Sequence, residues 1–145
     1  MKAAVLLCSV LLVSCKSDEL EIVEKDYTSV ACDLLASELT PLQGATVIEE
    51  AAQTLIVPNE DEAWLIENLG EEAFVTFEIE DWMGTLHLFI TEGYAVDVEL
   101  EQSLEQSPSA GCPGYTEQRY KITAWGSYPV HIQGAGDISL SVIHD

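Results

Sequence analysis

Basic residues are the scarcest feature of this chain. Five lysines and arginines stand against 26 aspartates and glutamates, for a formal charge of −21. A surface of that sign is repelled by the phosphates of nucleic acid and by anionic lipid headgroups. Nucleic-acid binding is therefore excluded, and cations, basic protein patches or neutral glycans are left as partners. The same excess of acid also reads as a solubility device, because salt screens such charges over about 10 Å. Histidine is sparse, with three residues, and the four cysteines form neither a Cys-X-X-Cys nor a Cys/His cluster. A zinc or dithiol redox site thus has no support. The chain holds no His-Glu-X-X-His, no Gly-X-Ser-X-Gly and no phosphate-cradling glycine loop. Paired carboxylates of the glycosidase kind carry no signal in a chain with 26 acids. The expectation is a protein that is not an enzyme.

Long hydrophobic runs are also missing. The longest lies at the N-terminus, where Lys2 precedes the apolar residues 3–12, far short of the ~20 residues that span a bilayer as a helix. A positive residue, a short apolar stretch and small residues before a cut form the layout of a secretory signal. Its closing Leu12-Val13-Ser14-Cys15 resembles the lipobox of bacterial lipoproteins. That resemblance implies diacylglycerol on the Cys15 thiol, cleavage just before it and a further acyl chain such as palmitate on the new amino group. Residues 1–14 would then be a signal peptide. They hold one lysine and no acid, so their loss takes the formal charge from −21 to −22. Residues 15–26 read as a lipidated acidic tether, about 35 Å long when extended, and residues 27–145 as one domain. Lys16 follows the cysteine where aspartate would favour inner-membrane retention in enteric bacteria, so the resemblance implies the outer membrane and a place in the cell envelope. In an oxidising compartment the two cysteines that remain, Cys32 and Cys112, most simply pair.

Within the domain the dominant signal is alternation. Val75, Phe77 and Ile79 share one parity against Thr76, Glu78 and Glu80. Leu86, Leu88 and Ile90 oppose Thr85, His87 and Thr91, with Phe89 breaking the rule. Val96, Val98 and Leu100 oppose Asp97, Glu99 and Glu101. Tyr120 and Ile122 oppose Arg119 and Lys121, and Val130 and Ile132 oppose His131 and Gln133. Ile138, Leu140 and Val142 oppose Ser139 and Ser141. A period of two with β-branched and aromatic residues means strands with one wet face. The same reading takes residues 27–36 as the first strand, through Val30, Cys32 and Leu34, and adds strands at 53–57 and 63–67. Residues 46–52 read as either a helical turn or a strand start, and residues 103–114 as a polar loop pinned by Cys112. Strands wet on one face need a second sheet. The expected fold is all-β, a single antiparallel β-sandwich of about eight strands. The segments at 62–66, 84–88, 95–100, 120–124 and 128–132 resemble bacterial pre-peptidase C-terminal domains and related jelly-roll modules, which implies a jelly-roll-like sandwich with a binding or accessory role.

Few residues suggest chemistry. The acidic turn Glu60, Asp61 and Glu62 reads as a Ca²⁺ site or as a solvated turn; it lacks EF-hand spacing. Asp97, Glu99 and Glu101 form an acidic row that Glu78 and Glu80, or Arg119 and Lys121, could neighbour. His87 and His131 could form a pair if their strands were adjacent. Trp82, Tyr94, Tyr115, Trp125 and Tyr128 fall near strand ends, where flat rings stack on sugars, anchor a protein partner or cap the core. The expected function is contact with protein partners in the envelope, as within a secretion, motility or adhesion assembly. The alternative is an accessory module for Ca²⁺ or glycan.

Overall fold

In a computed structural model the chain is described at residues 25–67, 70–81, 83–98, 103–108 and 112–145. The signal segment, Cys15, the tether up to residue 24, Trp82, Glu99 and Glu101 lie outside these. A helix α1 (Tyr27–Leu35) is followed by β1 (Thr40–Gln43), a 3-10 helix (Ile48–Gln53), β2 (Leu55–Ile56), β3 (Trp64–Glu67), β4 (Glu72–Ile79) and β5 (Gly84–Thr91). Then come β6 (Ala95–Val98), β7 (Ser103–Pro108), β8 (Tyr115–Ile122), β9 (Gly126–Gln133) and β10 (Ile138–His144). Among the described residues no helix is long and apolar enough to cross a membrane.

Among the described residues ten strands make two sheets, a six-stranded one in the order β1-β3-β10-β5-β8-β7 and a four-stranded one in the order β2-β4-β9-β6. Among the described strands the chain changes sheet at every connection except that between β7 and β8. Alternation explains the layering. Leu86, Leu88 and Ile90 of β5 and Ile138, Leu140 and Val142 of β10 meet Val75, Phe77 and Ile79 of β4 and Val130 and Ile132 of β9 in one buried cluster. Each of these four strands thus turns one parity toward the other sheet.

Several expectations are corrected. The expected first strand at residues 27–36 is instead the helix Tyr27–Leu35, with Ala36 as its C-cap. Its apolar residues also recur every four positions, and the face holding Ala31 and Leu35 is buried. The Asp26 carboxylate caps the helix by accepting from the Ser29 N–H at 3.1 Å. With a helix on one sheet, the domain is mostly rather than wholly β. The sheets are mixed, because β1 runs parallel to β3 and β2 parallel to β4; pattern alone does not distinguish a parallel edge strand from an antiparallel one. Residues 103–108 are an edge strand beside β8, not a loop. Residues 48–53 form the 3-10 helix, which settles the open reading of that stretch.

The helix creates a third layer. Ala31 and Leu35 pack with Phe89 of β5 and Ile143 of β10, residues of the parity that points away from the central core. Phe89 broke the wet-face pattern because that face is covered. Cys32 of α1 and Cys112, just before β8, lie at disulfide distance with their Cα atoms 5.5 Å apart. The expected pair is present, but it ties a helix rather than a strand to the sheet.

Candidate docking face of the four-stranded sheet

The expected site residues do not converge. Glu60 is ion-paired to Lys25, Glu62 accepts from the Thr40 hydroxyl at 2.5 Å, and the Asp61 N–H donates to the Asn59 side chain at 2.9 Å. Among the described residues no group of three histidine, cysteine or acidic side chains is arranged to hold a metal. The aromatics separate as well. Tyr128 is buried in the core and its hydroxyl donates to the Ala124 carbonyl at 2.5 Å. Tyr115 packs in the cluster under α1. Tyr94 lies against the core with its hydroxyl on the Ala135 carbonyl at 2.6 Å. A Cβ at Gly134 would meet the Tyr94 ring at 2.2 Å, so glycine is required there. Trp125 alone of the described four is largely exposed, at 61%.

His87 and His131 stand on β5 and β9, in different sheets, so they form no pair. His87 is buried beneath the start of α1, its ring stacked on Tyr27 with centroids 4.6 Å apart. Its nitrogens lie 3.4 Å from Glu117 Oε1 and 3.3 Å from Asp145 Oδ2. Glu117 Oε1 also accepts from Arg119 Nε at 2.8 Å. This network joins helix, sheet and chain end, and its ring nitrogens and carboxylates face one another rather than an open cleft.

The outer face of the four-stranded sheet is different. Glu72, Phe74, Thr76 and Glu78 of β4 point away from the core by the parity that buries Ala73, Val75 and Phe77. Pro129 and His131 of β9 and Asp97 of β6 share that outer face; Phe74 and Asp97 both stand opposite His131 in the register. The 3-10 helix lies over part of this face, held where the Thr76 hydroxyl donates to the Ala51 carbonyl at 2.9 Å. His131 is stacked on Phe74, 4.5 Å between centroids and 6° between planes, and its Nε2 is 2.7 Å from Glu72 Oε2.

Three depressions follow one another here. The first, about 420 Å³, is lined by Gln43, Thr46, Glu50 and Gln53. The second, about 580 Å³, shares Thr46 and adds Gly70, Glu71, Glu72 and Gln133. The Glu72–His131 contact leads on to a third of about 230 Å³, walled by Ile48, Phe74, Asp97, Pro129, Val130 and His131. The acidic row expected beside Asp97 is not formed by Glu78, because β9 separates β4 from β6 and Glu78 stands opposite Ser127. Arg119 and Lys121 are on β8 in the other sheet.

The electrostatics follow from this segregation. The strands and 3-10 helix of this face carry Glu49, Glu50, Glu72, Glu78 and Asp97 and no lysine or arginine. The basic residues among those described are Lys25, just before α1, and Arg119 and Lys121. On the core side, Tyr120 donates to Gln118 Oε1 at 2.6 Å, and burial, then the nearby Asp97 carboxylate, push its hydroxyl up from 10 to about 12. Sequence reading passed over Ile48, Phe74 and Pro129. The available signal was Phe74, an aromatic on the wet parity of β4. Comparison with protein-family models and with curated proteins yields no match, so the lipobox and pre-peptidase resemblances rest on the residues quoted for them.

Proposed function

We propose that this chain is a non-enzymatic envelope lipoprotein, anchored through Cys15, whose mature domain is a jelly-roll-like β-sandwich that holds a basic protein partner on the outer face of its four-stranded sheet. The observation that carries the partner reading is the separation of charge: the described elements of that face bear five carboxylates and no lysine or arginine. Such a face attracts a basic surface and speeds its approach. The neighbouring depressions, open and lined by both polar and apolar side chains, fit an extended partner segment better than a small enclosed ligand. The anchor reading is supported by the N-terminal pattern alone and places the domain at the outer membrane, within an assembly of the envelope. A Ca²⁺ or glycan module, the alternative, would draw on Glu60 and Glu62, whose oxygens already have partners, and on rings of which three are docked on the protein itself.

The test is cross-linking and recovery of the native membrane-bound protein beside two variants. Wild type should recover a basic partner from membranes. Glu72→Gln combined with Asp97→Asn should lose most of it while remaining in the membrane fraction. Cys15→Ala should move to the soluble fraction. Recovery unchanged by the charge variant would refute the face, and membrane retention of Cys15→Ala would refute the anchor.

A further inference from the structure

We propose that the cavity beside Ile48 receives an arginine side chain of the partner; this rests on the docking face argued above and names the residue that face selects. The cavity of about 230 Å³ has one carboxylate in its wall, Asp97, among Ile48, Phe74, Pro129, Val130 and His131. The Asp97 side chain is in no hydrogen bond or ion pair found among the described residues; its charge is felt by the Tyr120 hydroxyl. The carboxylates of β4 on the same sheet face are engaged: Glu72 by His131 at 2.7 Å and Glu78 by the Ser127 hydroxyl. The cations of the described chain are elsewhere, Lys25 with Glu60 and Arg119 with Glu117, while Lys121 is on β8. An exposed acid at the wall of a mostly apolar depression, with no lysine or arginine on the elements around it, is complementary to a positive side chain brought from outside.

The walls choose between the two positive side chains. Phe74 and His131 are stacked in parallel, 6° apart, and Pro129 and Ile48 add further apolar surface. A guanidinium is planar and weakly hydrated, so it lies against rings and apolar walls while its N–H groups reach a carboxylate in a two-bond fork. An ammonium is a compact, strongly hydrated point charge and loses more water on entering such a recess. The 580 Å³ depression lined by Glu71, Glu72 and Gln133 lies next along the face and offers room and charge for the flanking basic residues.

Calorimetry on the full chain in detergent tests this with two synthetic decapeptides, one alternating arginine and glycine, the other lysine and glycine. The arginine peptide should bind about fivefold or more tightly than the lysine peptide. Asp97→Asn should weaken it about tenfold, the scale of one lost charge-assisted contact, and bring the two peptides together. Glu49→Gln with Glu50→Gln, on the 3-10 helix outside the cavity wall, should weaken both peptides alike and by less; circular dichroism checks that each variant is folded. Equal affinity for the two peptides, or an Asp97→Asn loss no larger than that of the Glu49/Glu50 variant, would overturn the arginine cavity while leaving the docking face standing. Absence of saturable binding by either peptide would overturn both.

Discussion

At the scale of single residues, Tyr120 shows how the core sets chemistry. Its ring is one of the apolar surfaces between the sheets, yet its hydroxyl must be satisfied there, and Gln118 accepts it at 2.6 Å. Because the folded group titrates near 12 and an exposed tyrosine near 10, both states hold the proton below pH 10 and stability there does not depend on it. Between pH 10 and 12 the unfolded chain gives up the proton and the folded chain keeps it, so the contribution is lost as pH rises. Two pH units correspond to a loss of roughly 2–3 kcal/mol. Denaturant titrations across this range should show that decline in wild type. Tyr120→Phe should begin about 1 kcal/mol less stable, with Gln118 left without its donor, and should show a much shallower alkaline decline. Parallel declines in the two proteins would contradict the assignment.

At the scale of elements, α1 depends on its staple and its cap. Joining positions 80 residues apart restricts the unfolded chain, by an amount the chain-entropy model puts at about 4–5 kcal/mol and measured cases at about 2–5 kcal/mol. Cys32→Ala with Cys112→Ala should lower stability within that range. Hydrogen exchange should then quicken first in α1, since the bond holds the helix over Phe89 and Ile143; exchange that quickens uniformly through the sheets would argue against a helix that opens by itself. The same element marks where sequence reading stops. The strands of the central core were legible because β4, β5, β9 and β10 each turn one apolar parity toward the other sheet while the opposite parity is mostly polar in sequence, including on β5 and β10, where α1 covers it. Residues 27–35 satisfied two periods at once: Val30, Cys32 and Leu34 alternate, while Tyr27, Ala31 and Leu35 recur every fourth residue. The Asp26 cap and Phe89, apolar on a supposedly wet face, were the clues that favoured the helix. Residues 103–108 looked like a loop because an edge strand needs no second apolar face. The parallel pairing of β1 and β2 depends on which distant strand each short segment reaches, a choice that local pattern does not encode. The docking face was partly legible: Asp97 and His131 stood out as wet-face residues, but their juxtaposition with Phe74 and Ile48 follows from the order β4-β9-β6 and from the 3-10 helix above it.

At the scale of the whole molecule, acid on the four-stranded face has opposite consequences for folding and for binding. With no lysine or arginine on the described elements of that face, its carboxylates repel one another in the folded state and are farther apart in the unfolded one. Raising sodium chloride from 0.1 to 1 M shortens the screening length from about 10 to about 3 Å. Repulsion between side chains on neighbouring strands is then largely removed, whereas the few ion pairs, such as Arg119–Glu117 at 2.8 Å, lose less because they are in contact and partly buried. The folded state should gain on the order of 1 kcal/mol, read as a melting temperature about 3 °C higher. The same salt should weaken a basic partner, because attraction between oppositely charged surfaces is screened as repulsion within one of them is. Melting temperature and partner affinity measured along one salt series should therefore move in opposite directions. A protein whose acid served solubility alone would gain stability with salt yet show no saltable partner to lose, and one held together chiefly by its ion pairs would melt earlier.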